Sequence, residues 1–429
     1  MIDAPRIFLE GLFRTAVAAA HPATCLPSHL PEPPLGRLIL LAAGKAAGSM
    51  TEIAERHYLD DAKLPEARLA GLAVTRNGYG RPTRHIPLVE AGHPVPDRAG
   101  LEATEKTLAL AGQAGADDLV IVLLSGGASA NWIAPAPGLA LADKQATTRA
   151  LLRSGASIAE INTVRKHLSR VKGGRLAARA YPARLLTLAI SDVPGDDPAI
   201  IGSGPTVPDP STLAEARAIA QRYRLELPAH VTQALSDAAN ETPKPGDAIF
   251  AATEFRLTAR PADAFRAAEA AVRAAGFECV FLGDRVEGEA RAVAGDHARL
   301  ARELQAAGRR AIILSGGELT VTIRGGGHGG PNQEYALALA LALDGMPAVA
   351  ALAADTDGTD GGAGGADDPA GAFVDGTSAS RARALGLDPA AFLADNDSTA
   401  FFARLGDLLL PGPTFTNVND FRAILVDRL

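Results

Sequence analysis

The sequence predicts an α/β protein of two domains, and three observations lead there. Between Leu38 and about Leu235 short apolar runs alternate with Ala-rich helical stretches, the βαβ pattern of a Rossmann-like, mainly parallel, three-layer sheet. Four apolar runs, at 38–43, 119–124, 185–190 and 311–314, stop abruptly at small turns. Those turns carry Gly44 and Lys45, then Ser125, Gly126 and Gly127, then Ser191 and Asp192, and finally Ser315, Gly316 and Gly317. Near the C-terminus, residues 318–324 (ELTVTIR) alternate polar and apolar as a half-exposed strand does, which makes the second, smaller α/β domain a mixed sheet. A chain of 429 residues also exceeds one ordinary core, since a domain takes roughly 100 to 200.

Each element follows from local pattern. The first twenty residues set Asp3, Arg6, Glu10 and Arg14 among apolar neighbours at helical spacing, an amphipathic helix rather than a signal peptide. Helical stretches occupy 46–57, 100–114 and 143–152. Segment 236–247, SDAANETPKPGD, gathers Asn, Thr, two Pro and Gly, and reads as the linker between domains 1–240 and 241–429. Beyond it come amphipathic helices at 261–276 and 286–308, the strand at 311–314, a helix at 332–343 and strands at 348–354 and 419–426.

Composition excludes several classes. With 42 basic and 49 acidic residues the net charge is −7, and no basic stripe is interleaved with aromatics, so no nucleic-acid partner is expected. Cys25 and Cys279 are far apart and lack His neighbours at metal-ligand spacing, which argues against disulfides and zinc and fits a reducing cytoplasm. The uncharged run 335–343 is too short for a bilayer, which takes about 20 residues, so no membrane role is expected.

In open α/β sheets ligands bind outside the carboxyl ends of parallel strands, so a cation, Ser-Gly-Gly turns and a carboxylate at such ends point to an enzyme handling an anionic substrate. Lys45 is not in a P-loop, because Ile39 stands where the first Gly would be. Ser125 and Ser315 lie outside any G-x-S-x-G, so their amides and hydroxyls suit anion binding better than nucleophilic attack. Segment 162–175 packs Arg165, Lys166, His167, Arg170, Lys172 and Arg175 together, and Gly173 and Gly174 after Lys172 let backbone approach a phosphate or carboxylate. GGGHGG at 325–330 satisfies G-x-G-x-x-G. However, its preceding strand alternates, and Asp355 lies 30 positions after Gly325 against about 20 for a ribose-binding acid. A phosphate-cradling loop beside Arg324 is the other reading. Asp355, Asp357 and Asp360 have the wrong spacing for a calcium loop and suit the magnesium of a nucleotide complex.

Read together, AAGKAAGSM (42–50), EAGHPVPD (90–97), LLSGGASA (123–130), INTVRKHLSRVKGGRLA (161–177), SDVPGDDPAIIGSGPTVPD (191–209), LSGGELTVTI (314–323), GGPNQEYALALAL (329–341), AADTDGTDG (353–361) and TNVNDFRAILV (416–426) resemble the glycerate 2-kinase family, in the family's order and over nearly the whole chain. The resemblance implies a glycerate-kinase domain followed by a MOFRL domain, with the active site in the cleft between them. It implies transfer of phosphate from ATP, with Mg2+ or another divalent cation, to the 2-hydroxyl of D-glycerate. Carried over by motif, Lys45, Arg324 and Asp192 become catalytic. Ser125, Gly126, Gly127, Arg165, Lys172, Ser315, Gly316, Gly317, Asn332 and Glu334 bind substrate or nucleotide, and Asp355 and Asp357 hold the metal. A homo-oligomer is compatible with it. Many relatives have Arg where this chain has Pro331, so the charge there is absent and Arg324 and His328 remain nearby. Members have also been labelled hydroxypyruvate reductases, which keeps an NAD(P)H-dependent reductase as the alternative.

Overall fold

The computed structural model describes residues 4–361 and 365–428. Asp3, counted in the helix pattern above, lies outside them. The chain forms two compact units, Cys25–Thr258 and Met1–Thr24 with Ala259–Leu429. The expected boundary after residue 240 therefore moves to 258. Segment 236–247 is packed rather than free, with Asn240 and Thr242 buried, the Asn240 side chain donating to Ala234 O, and Pro243 O accepting from Asp209 N–H. Its polar composition reads as a linker, but those groups are satisfied inside the unit.

In the unit Cys25–Thr258 the strands are β1 Leu38–Ala43, β2 Leu69–Arg76, β3 Leu88–Ala91, β4 Leu119–Leu124, β5 Arg184–Ile190 and β6 Thr253–Ala259. They form one sheet in the order β3-β2-β1-β4-β5-β6, and the four pairings from β3 to β5 are parallel. Every residue of β1 and β4 is buried. Such unbroken apolar runs, rather than alternating ones, are what a strand covered on both faces requires.

In the other unit the strands are β7 Glu278–Phe281, β8 Gly288–Glu289, β9 Ala311–Ser315, β10 Leu319–Thr320, β11 Val349–Asp355, β12 Gly371–Asp375, β13 Leu408–Leu409 and β14 Asp420–Val426. Six of them make a mixed sheet, β13-β12-β11-β14-β9-β7, antiparallel except where β7 pairs with β9. Helices Ala290–Ala306 and Pro331–Ala342 share one apolar core with β9, β11, β12 and β14. The strand expected over 318–324 shrinks to β10, which pairs only with β8. From there the backbone is captured elsewhere, since the amides of Arg324 and Gly325 both donate to the Asn396 side chain.

Candidate active site

In the first sheet the strand order reverses between β1 and β4, and ligands of doubly wound sheets bind at such a switch point, beyond the carboxyl ends of the strands. Here Gly44 and Lys45 follow β1, and Ser125, Gly126 and Gly127 follow β4. The turns are stitched together: Lys45 N–H donates to Gly126 O at 2.8 Å and Ala46 N–H to Ser125 Oγ at 2.9 Å. Gly44 has φ +117, and a side chain there would strike Ser125. Ser125 is fully buried and its hydroxyl accepts the Ala46 amide, so the anion-binding hydroxyl expected there is a structural clasp. Half-buried Lys45 and the ring of His93 both flank Gly127. Asp192 follows β5, which pairs with β4, and so lies at the same sheet end.

A cationic cluster lies next along the chain. The helix Ile158–His167 starts from a capping box in which Ser157 and Glu160 satisfy each other's amides, and it carries Arg165 in its last turn. Arg165 donates to Ser129 Oγ at 2.8 Å and to Asn162 Oδ1 at 3.1 Å. Lys172, buried, donates to Ser129 O at 2.7 Å, Ser129 Oγ at 2.9 Å and Trp132 O at 3.3 Å. Lys144, also buried, donates to the carbonyls of Arg165 and Leu168, each at 2.9 Å. Burial, reinforced by the Arg165 charge, pushes both lysines well below the ordinary lysine value, and burial lowers Arg165 too. Among the described residues these three cations ion-pair with no carboxylate, an arrangement an incoming anion relieves. Lys166 does pair, with Asp209 at 3.3 Å. His167 is a fully buried strut between Thr163 O and Glu241.

In the other unit the polar groups gather at one end of the mixed sheet, where Asp355 pairs with Asp420 and Ser315 with Arg422 in register. The Asp360 carboxylate caps helix Pro331–Ala342, accepting the amides of Asn332 and Gln333 at 3.0 and 2.8 Å. The Asn332 side chain bridges Asp360 and Asp420 at 3.2 and 2.7 Å. Burial and the Asp420 charge raise Asp360 to about 7 despite those donors. Arg422, buried in β14, pairs with Asp420 at 2.9 Å and donates to the carbonyls of Gly316 and Gly317. The Ser315 turn thus presents carbonyls to a guanidinium. Asp355 Oδ1 accepts Asp357 N–H, and Asp357 Oδ1 accepts both the amide and the hydroxyl of Thr359. Among the described residues no group of three His, Cys, Asp or Glu side chains could hold a metal by itself. Glu334 is spoken for, its carboxylate meeting Arg291 at 2.5 Å and Asn396 at 3.1 Å.

GGGHGG takes its glycines from packing. A side chain at Gly325 would collide with Asp395, and one at Gly327 with Asp397. The amide of Gly326 donates to Asp395 Oδ1 and that of His328 to Asp397 Oδ1. These carboxylates occupy donors that a pyrophosphate would need, which removes the dinucleotide fingerprint. Arg324 beside it is exposed.

Two family models match the chain, and the first of them crosses the unit boundary at Cys25. Residues 8–236 match a domain of unknown function, DUF4147, and residues 311–420 match the MOFRL family. A protein of Agrobacterium vitis with the provisional name hydroxypyruvate reductase is 47% identical, over 98% of this chain and 94% of its own. The D-glycerate 2-kinase of Thermotoga maritima is 38% identical over 95% of each chain. A crystal structure of glycerate kinase from Thermotoga maritima superposes with TM-score 0.86 at 37% identity, covering 99% of this chain and all of that one. The chain belongs to the glycerate 2-kinase family.

Proposed function

We propose that this protein transfers the γ-phosphoryl group of ATP to the 2-hydroxyl of D-glycerate, giving 2-phosphoglycerate and ADP. The observation that carries the reading is the switch point with Lys45 at its mouth, together with the basic side chains of buried Lys144 and Lys172 and half-buried Arg165, which ion-pair with no carboxylate among the described residues. Phosphoryl transfer asks the protein for little covalent chemistry; it asks for positioning and for positive charge where charge develops. Lys45 supplies that charge at the moving group, and Arg324 is the second cation we assign to it. Asp192 orients the 2-hydroxyl and accepts its proton. The names glycerate kinase and D-glycerate 2-kinase among the relatives support the reaction class.

The acidic turn fits a hydrated magnesium ion rather than a resident one, because such an ion takes one or two protein carboxylates and completes its shell with phosphate oxygens and water. Asp355 and Asp357 would hold it, and it would supply charge neutralisation on the nucleotide phosphates. Incubation with D-glycerate, ATP and magnesium, followed by identification of the phosphorylated isomer, tests the proposal. 3-Phosphoglycerate as the product, or no ADP formed, would refute it.

A further inference from the structure

Beside the cationic cluster lies a hollow of about 350 Å³ within the unit Cys25–Thr258. Its walls are Pro94 to Pro96, Ile133, and the facing sides of helices Leu141–Arg153 and Ile158–His167, including Leu152 and Ile161. The lining is predominantly apolar, and the volume lies in the range of roughly 300 to 1,000 Å³ typical of small-molecule sites. Two residues belong to both hollow and cluster, Lys144 and Arg165. Lys144 is 3% exposed, and its two hydrogen bonds leave a third donor once an anion holds the group protonated. Arg165 uses two of its five donors. An apolar chamber with a guanidinium and a buried lysine at one side, neither paired with a carboxylate among the described residues, selects a ligand that is itself divided, flat and apolar at one end and anionic at the other.

D-glycerate, small and polar throughout, does not match this division. A nucleotide does. We propose that the hollow receives the adenine ring of ATP, with Arg165 and Lys144 beside the phosphate nearest the ribose. From there the phosphate chain runs past Ser129 toward Gly127 and Lys45. Ser129 lies two residues after Gly127, so pocket, cluster and catalytic lysine follow one another along the same wall. Gln145, also on the lining, donates its side-chain N–H to Pro96 O at 2.8 Å, which leaves its side-chain oxygen as an acceptor for the exocyclic amine of the base. This assignment rests on the ATP-dependent reading above and adds where the base sits.

Thr148, half-buried on the hollow's wall, is the position to fill. Calorimetry of Thr148→Phe should show ADP binding weakened at least tenfold, with affinity for inorganic tripolyphosphate within about twofold of the parent. Photolabelling of the unaltered protein with 8-azido-ADP should modify peptides within 94–96 or 133–161, and this holds the test open if the variant does not fold. Unchanged ADP affinity in a folded Thr148→Phe, or labelling confined to other segments, overturns the assignment. So does a dimer that buries Leu152 and Ile158 and excludes the label. Failure of the kinase reading is separate: unaltered protein that binds no adenine nucleotide and forms no ADP from glycerate and ATP.

Discussion

The Lys172 ammonium lies 2.9 Å from the Ser129 hydroxyl and 2.7 Å from the carbonyl of the same residue, while Arg165 donates to that hydroxyl from another side. Both lone pairs of Ser129 Oγ are thereby engaged by cations, and Ser203 Oγ stands 2.9 Å away to take its proton. Lys172 thus acts through Ser129 and Arg165. Lys172→Met should raise KM for the anionic substrates about tenfold, the scale of one lost charge-assisted hydrogen bond, with a smaller change in kcat. Lys172→Arg should not rescue, because a planar fork cannot occupy the volume of a buried ammonium. Unchanged KM values in folded Lys172→Met would make this residue a packing element only.

Lys45→Ala and Arg324→Ala test the proposed transition-state charges. Each should lower kcat by roughly a hundredfold or more, about 2.7 kcal/mol, with smaller changes in KM, the pattern of an interaction absent from the ground state. Arg324→Lys should recover only part of the loss. Near-normal kcat in either folded alanine variant removes that residue from the catalytic set.

Strand ends were readable because an apolar run broken by Gly and a polar residue fits little besides a buried strand meeting its turn, and Gly44, Lys45 and Asp192 all fall at carboxyl ends of strands. The cationic cluster was half legible. Arg165 and Lys172 stood out as a basic run, but Lys144 matches no motif. Its signal was positional: Lys144, Thr147 and Leu151 share the buried stripe of their helix, and a charge on such a stripe must be held by polar groups from elsewhere in the fold. Arg422 carried the same kind of signal as the lone basic residue in a strand buried at every position. The GGGHGG reading misled because glycine also serves close packing, here against Asp395 and Asp397, and that partner is distant in sequence.

Asp355→Asn and Asp357→Asn address the proposed metal. Loss of an anionic oxygen should raise the magnesium concentration needed for half-maximal activity several-fold in each. Because both carboxylates also accept turn amides, circular dichroism should accompany the titration. An unchanged magnesium requirement in both folded variants assigns the turn to structure.

The occupied amides of the glycine loop bear on the reductase name carried by a close relative. Purified protein should form ADP in the presence of glycerate and oxidise neither NADH nor NADPH with hydroxypyruvate. Gly327→Ala should destabilise the unit by a few kcal/mol, since the added methyl collides with Asp397. Nicotinamide turnover without phosphorylation would reverse the functional conclusion.

Asp360 predicts a pH dependence of stability. Its carboxyl rises to about 7 in the folded chain from an ordinary value of 3.8, by burial first and the Asp420 charge second. Between pH 4 and 7 the folded state therefore holds a proton the unfolded chain has released, so this group's contribution is fully present below about pH 4 and is lost as pH rises through 7. Asp360→Asn cannot ionise, and its NH2 cannot accept the second of the amides of Asn332 and Gln333, whereas the hydroxyl oxygen of a protonated carboxyl still accepts, if weakly. The variant should be the less stable form at pH 4.5, and its deficit should shrink steadily toward pH 7.5. Hydrogen exchange at the start of helix Pro331–Ala342, corrected for intrinsic pH dependence, reads this locally in a chain whose two units need not unfold together. Parallel pH profiles for parent and variant would mean that Asp360 is ionised throughout and that the capping amides outweigh its burial.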